Sequence, residues 1–241
     1  MEGNYQIKEW LFHLSILVRQ LKRFIVMKNT RTYYHLILDH SGSMASCIEQ
    51  TIEGINKQIA RIREVAEIFP DQELITSLTI FNDRVTTVWK RLLPGQLRDL
   101  TFFDYYPSGS TALLDAIGTV ISEMQRIAGT EFQENAASAV LVIITDGDEN
   151  SSTTFSHGQV ATMIRDLEET GKWTFTYLGT TLDTSNIAAD LNIKEINAMR
   201  FRKEDSLLLF KRLNNSIYSY ISEKQSGNLS KRFFSFEEEI D

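Results

Sequence analysis

One cysteine, three prolines and twelve glycines among 241 residues, with no excess of positive charge, exclude several kinds of protein at once. Because Cys47 is alone, no internal disulfide can form, and stability has to come from a packed core rather than from staples. Cys47 itself falls in a helical stretch and reads as a small buried side chain. So little Pro and Gly leaves no room for a Pro-rich or Gly/Ser-rich linker, and neither an internal repeat nor a low-complexity tract is present. A formal charge of −7 argues against nucleic acid or an anionic membrane as partner, since both are met first by surplus Lys and Arg. No apolar run reaches the roughly 20 residues of a bilayer span. The stretch from Trp10 to Met27 is interrupted by Arg19, Lys22 and Arg23. It also follows Glu2 and Glu9 and lacks a small-residue cleavage site, unlike a secretory signal. Residues 1–30 are therefore expected to be a helical N-terminal extension, with 1–26 peripheral to the fold or an effect of start-site choice, on a cytoplasmic protein without membrane insertion.

What is present suits one α/β core, with 42% hydrophobic residues spread along the whole chain. Tyr33 to Leu38 is a short apolar run that suits a strand covered on both faces, and it ends in Asp39. Ile48, Ile52, Ile55, Ile59, Ile62 and Ala66 recur at three- and four-residue spacing, which predicts a helix over 46–68. Leu74 to Phe81 and Val85 to Trp89 read as an antiparallel hairpin turning at Asn82-Asp83-Arg84. A second helical stripe runs from Ala112 to Met124. Ala139 to Thr145 is the strongest buried-strand signal and ends in another aspartate, Asp146. A helix over 158–169, a strand over 173–178, a short helix over 185–191, an edge strand over 193–199 and a helix over 206–221 complete the pattern. Strands alternating with helices point to a doubly wound, mostly parallel α/β sheet with one antiparallel edge strand and helices on both faces. The domain is expected to span 31–224, with 225–241 a polar, acidic tail. In such sheets ligands bind beyond the carboxyl ends of the strands, where both aspartates lie.

Asp39-His40-Ser41-Gly42-Ser43 places three oxygen-bearing side chains at alternate positions of one turn, able to face a common point, with Gly42 clearing the approach. Ser108-Gly109-Ser110-Thr111 opens a helix with another hydroxyl. Thr145-Asp146-Gly147 closes the buried strand with a carboxylate. Taken singly, these are ordinary turn and cap residues. Jointly they form a pattern, D-x-S-x-S, then the Thr of a GST turn, then the Asp of a TDG turn. That pattern resembles the metal-ion-dependent adhesion site of von Willebrand factor type A domains, including the integrin inserted domains, over roughly residues 33 to 200. The phrases GSTALLDAIG and TDGDENSS are most similar to the stand-alone bacterial members.

The resemblance implies a Rossmann-like fold and a Mg²⁺ ion, with Mn²⁺ or Ca²⁺ as substitutes, held by Asp39, Ser41, Ser43, Thr111 and Asp146. It implies binding rather than catalysis, the metal bridging to an Asp or Glu carboxylate of a partner protein within a bacterial complex. His40, Ser110, Asp148 and Glu149 are expected on the partner-facing rim. Asp146 to Asn150 also begins like a calcium loop of the EF-hand kind, but Ser151 stands where glycine belongs and His157 where the bidentate glutamate belongs. Asp148 and Glu149 therefore read as solvated. Two other readings stay open: a metal-dependent hydrolase acting on phosphate esters, and a structural subunit with an empty site. The four histidines lack zinc-ligand spacing, and no phosphate-binding glycine loop or nucleophile elbow occurs.

Overall fold

The computed structural model describes residues 30–229 and 232–234. The expectations for the N-terminal extension up to residue 29 and for residues 235–241 lie outside the described residues. Strand β1 (Arg31–Asp39) runs beside β2 (Glu73–Phe81) on one side and β4 (Ala137–Thr145) on the other, all parallel. Next to β4 stands β5 (Trp173–Gly179), also parallel. β3 (Val85–Leu92) pairs antiparallel with β2 and forms one edge. The other edge is β6 (Ala198–Arg200), and the order is β3-β2-β1-β4-β5-β6. The fold is therefore the expected one, a mostly parallel six-stranded sheet with one antiparallel edge strand.

Alternation along the central strands divides the core in two. Tyr34, Leu36 and Leu38 of β1 face a layer built by α1 (Ile48–Ile68) and α5 (Ser206–Gln225), through Ile55, Ile59 and Ile62 of the former and Leu209, Phe210, Leu213 and Ile217 of the latter. Tyr33 and Ile37 face α2 (Leu113–Gln133) and α3 (His157–Glu169), meeting Ile117, Ile121, Val160 and Ile164. Each such side chain contributes about 1.5–3 kcal/mol by leaving water. α1 and α5 come unusually close because Gly54 has no side chain. A Cβ there would lie 1.9 Å from the Phe210 ring.

Three boundaries differ from expectation. The helix expected from residue 46 is a 3-10 turn over Gly42–Cys47 before α1 begins. The edge strand expected over 193–199 is reduced to Ala198–Arg200: Ile193 is buried after the short helix α4 (Thr184–Asp190), and Glu195–Asn197 form a 3-10 turn. Its apolar residues recur every third position, which suits that turn rather than a strand. Beyond α5, Phe233 and Phe234 are buried in the first core layer and the Phe233 amide donates to Asn197 Oδ1, so this part of the expected polar tail is packed on the domain.

What this architecture positions is the top of β1 and β4. The strand order reverses between them, so the chain leaving β1 turns toward α1 on one face and the chain leaving β4 toward α3 on the other. A crevice opens where they part.

Candidate metal centre at the crossover

Asp39 ends β1 fully buried, and each of its oxygens has a donor. Oδ1 accepts the Ser41 amide at 2.7 Å and Oδ2 accepts the Thr145 hydroxyl at 2.5 Å, while the Tyr105 hydroxyl holds the Asp39 carbonyl at 2.7 Å. Burial pushes the Asp39 carboxyl pKa up, opposed by the bonds from Thr145 and Ser41 and assisted by the charge of Asp146. The hydroxyls of Ser41 and Ser43 lie 3.0 Å apart, and Ser43 donates to Asp146 Oδ1 at 2.6 Å. Four of the five expected residues are thus joined by a chain of short hydrogen bonds across a separation of more than one hundred positions in sequence.

Thr111, the fifth, is buried and clamped by its backbone: its amide donates to Asn150 Oδ1 at 2.9 Å, and the Asn150 amide donates to its carbonyl at 3.1 Å. Its hydroxyl reaches the same place as that of Ser43. A Cβ on Gly147 would lie 3.4 Å from Thr111 Oγ1 and 3.5 Å from Ser43 Oγ, so the glycine leaves open a space walled by both hydroxyls. The loops are tied to one another by the Ser108 amide on the His40 carbonyl and the Gly42 amide on the Gly109 carbonyl. Gly109 sits at φ +75, a left-handed conformation that favours glycine. A Cβ on Gly42 would stand in ordinary contact, 3.5 Å from Gly109 O, so Gly42 contributes its hydrogen bond rather than clearance.

The rim differs from expectation. Ser110 and Asp148 are exposed beside the site. Glu149 is not a free rim residue: it accepts the Leu114 amide at the start of α2 and the amides of Ser151 and Ser152, fastening the loop after β4 to that helix. His40 is half-buried against Tyr105, and its Nε2 accepts the Tyr106 amide at 2.7 Å. Burial lowers its pKa, so neutral imidazole serves as a backbone pin.

Thr145, Tyr105 and Asn150 hold the site: Thr145 and Asn150 fall inside the TDGDENSS phrase, where nothing singles them out, and no local pattern marks Tyr105. Lys203, also unsignalled, reaches in from the segment before α5. Its ammonium pairs with Asp146 Oδ2 and donates to the Ser43 carbonyl at 2.8 Å.

The donor set fits a hard cation. Among the described residues no group of three or more His, Cys, Asp or Glu could hold a metal, so a zinc-like site is not offered. Two carboxylates and three hydroxyls around one gap are the oxygen-only surroundings that Mg²⁺, Mn²⁺ or Ca²⁺ take.

No family model matches the sequence, and no curated protein matches it. Solved structures do. A paralog of ArnB from Sulfolobus acidocaldarius, VWA2, superposes with a TM-score of 0.52 at 16% identity, covering 78% of this chain and 45% of its own. A von Willebrand factor type A protein from Catenulispora acidiphila gives 0.51 at 16% identity, covering 78% and 42%. This is a von Willebrand factor type A fold. The pilus adhesin SpaC from Lactobacillus rhamnosus GG shares the architecture with a TM-score of 0.60 at 11% identity, over 80% of this chain and 30% of its own. The chain spans less than half the length of each of these three proteins. Among its described residues, no helix is long and apolar enough to cross a membrane.

Proposed function

We propose that this type A domain is a protein-binding module, acting within a multi-protein complex, whose partner is held through a divalent cation at Asp39, Ser41, Ser43, Thr111 and Asp146. The observation that carries this reading is the convergence of those five oxygen donors, from three separate loops, on the crevice above β1 and β4. Mg²⁺ is the preferred ion, and its chemistry there is that of a hard Lewis acid able to take one more oxygen, a partner's Asp or Glu carboxylate. The protein's own part is to hold hydroxyls rather than further carboxylates toward the gap, which leaves an incoming anion attracted rather than repelled.

The loop that carries Thr111 supports a binding role. It exposes Phe102, Phe103 and Tyr106, of which Tyr106 is tied to His40 beside the site and Phe102 lies along Ile52 and Asn56 of α1, and exposed aromatics on one loop are interface material. Their loop is braced: Arg98 grips Asp104 with two bonds at 2.6 and 2.8 Å, and Asp104 accepts the Thr101 amide and hydroxyl. The adhesin among the structural neighbours accords with this reading. Hydrolysis of phosphate esters is less favoured, since His40, the histidine beside the site, already spends Nε2 on the Tyr106 amide.

Calorimetric titration of Mn²⁺ and Mg²⁺ into wild type and Asp39→Ala tests the site. Affinity capture from the host in Mg²⁺ and in EDTA tests its use. Binding of metal by wild type alone, with a partner recovered only in Mg²⁺, is expected. Heat-silent titration of the wild type would exclude the metal, and partner capture indifferent to EDTA would exclude the bridge.

A further inference from the structure

We propose that Lys203 is a tethered internal cation that guards the metal centre, so that a divalent ion enters only by displacing it; this rests on the metal reading above. The Asp146 side chain is fully buried, and its two oxygens are divided between two partners. Oδ1 takes the Ser43 hydroxyl, and Oδ2 takes no hydrogen bond from the neighbouring loops but meets the Lys203 ammonium. That ammonium also bonds the Ser43 carbonyl at 2.8 Å, so it touches two of the five site residues at once.

The chemistry of the pairing is specific. A buried carboxylate without a counter-charge is strongly destabilising, and an ammonium is a compact positive point on a flexible stem, able to enter and to leave. With Asp39 and Asp146 ionised, Lys203 leaves the pair with one formal negative charge. A divalent ion added beside it would face a like charge at contact distance. Exchange of lysine for metal relieves this and restores neutrality.

Lys203 is not an isolated surface residue that can swing away without consequence. It opens the 3-10 turn Lys203–Asp205, which runs directly into α5, and its carbonyl accepts the hydroxyl of buried Ser206, the first residue of that helix. The stem is about one-third exposed, which gives it a route outward into solvent. Release of the ammonium therefore loosens the entrance to α5 from the metal loops. While it holds, the contact pins them together.

The test is Mn²⁺ affinity of the full chain by calorimetry for wild type, Lys203→Met and Lys203→Arg, with hydrogen exchange of residues 203–209 followed with and without Mn²⁺. Lys203→Met is expected to bind Mn²⁺ about tenfold tighter or more, because no ion pair has to be broken first, whereas Lys203→Arg stays near or below wild type. In wild type, Mn²⁺ should speed exchange over 203–209. That readout needs no variant and stands even if Lys203→Met folds poorly. Equal affinities for wild type and Lys203→Met, or exchange over 203–209 unmoved by a bound ion, would overturn the guard while leaving the metal centre intact. No Mn²⁺ binding by wild type or Lys203→Met overturns both.

Discussion

Thr145 donates its hydroxyl hydrogen bond to Asp39 Oδ2 at 2.5 Å, joining the last residues of β4 and β1 at the place where the strand order reverses. The bond aims a fully buried carboxylate and opposes the rise in its pKa that burial causes. Thr145→Val, equal in size, should remove a donor without opening a cavity. The expected loss is about 1–3 kcal/mol of stability, the cost of an under-satisfied buried acceptor, together with weaker Mn²⁺ binding. Urea denaturation with and without Mn²⁺ checks both, and a variant as stable and as metal-responsive as wild type would show that Asp39 needs no such support.

Gly109 is expected to tolerate no side chain. Gly109→Ala meets both a left-handed backbone and Asp83 Oδ1 at 2.5 Å from its new Cβ. Asp83 is exposed and can move, so the lasting penalty is the backbone, about 1–2 kcal/mol. Comparing Gly109→Ala with Gly109→Ala/Asp83→Ala by thermal melting separates the two terms. Full rescue by the second change would mean that the clash, not the backbone, was responsible.

At Gly54 the conflict is spatial. Gly54→Ala drives a methyl into the Phe210 ring and should cost about 1–3 kcal/mol by prising α1 from α5. Denaturant unfolding measures it, and Gly54→Ala/Phe210→Leu should recover part of the loss. An unchanged midpoint for the single variant would mean that the two helices can part freely.

A pH dependence follows from Lys224, which is buried under β1 and β4 with its ammonium nitrogen bonded to the Arg31 carbonyl and the hydroxyls of Thr32 and Ser138. Burial lowers its pKa from 10.5 to about 7. Between those values the unfolded chain holds a proton that the folded chain lacks, so stability rises with pH across the window and is weakest below it. The slope should approach 1.4 kcal/mol per pH unit as an order of magnitude. Unfolding free energies at pH 7.5 and 9.5 for wild type and Lys224→Met test it. A slope that survives in Lys224→Met belongs to another group.

The sequence made the centre of the fold legible because buried parallel strands leave an unmistakable apolar run, and Asp39 and Asp146 stand where those runs stop. The five candidate ligands stand out for a related reason, gathered in three short segments at the mouths of three elements. The periphery does not. Glu149 looks solvated in its local context of Asp148 and Asn150, and its duty toward the Leu114 amide exists only once the loop after β4 reaches the start of α2. Lys203 carries no local mark at all, since what matters is a carboxylate 57 positions earlier. The adjacent pair Phe233 and Phe234 is an apolar signal inside a stretch that its charged neighbours make polar and acidic on average.

The placement of β4 between β1 and β5 also bears on how the chain is made. A nascent chain that has reached Leu92 can close β2 on both β1 and β3, yet the opposite edge of β1 stays open until residues 137–145 emerge to fill it. An unpaired apolar edge of that length is the stage most prone to pairing with another molecule. A divalent ion at the proposed site would not shorten it, because the site lacks Asp146, one of its two carboxylates, until the strand that ends the exposure has been made. Metal would lengthen the lifetime of finished molecules and do nothing for the yield of folding, so supplementing growth medium should leave the insoluble fraction unchanged.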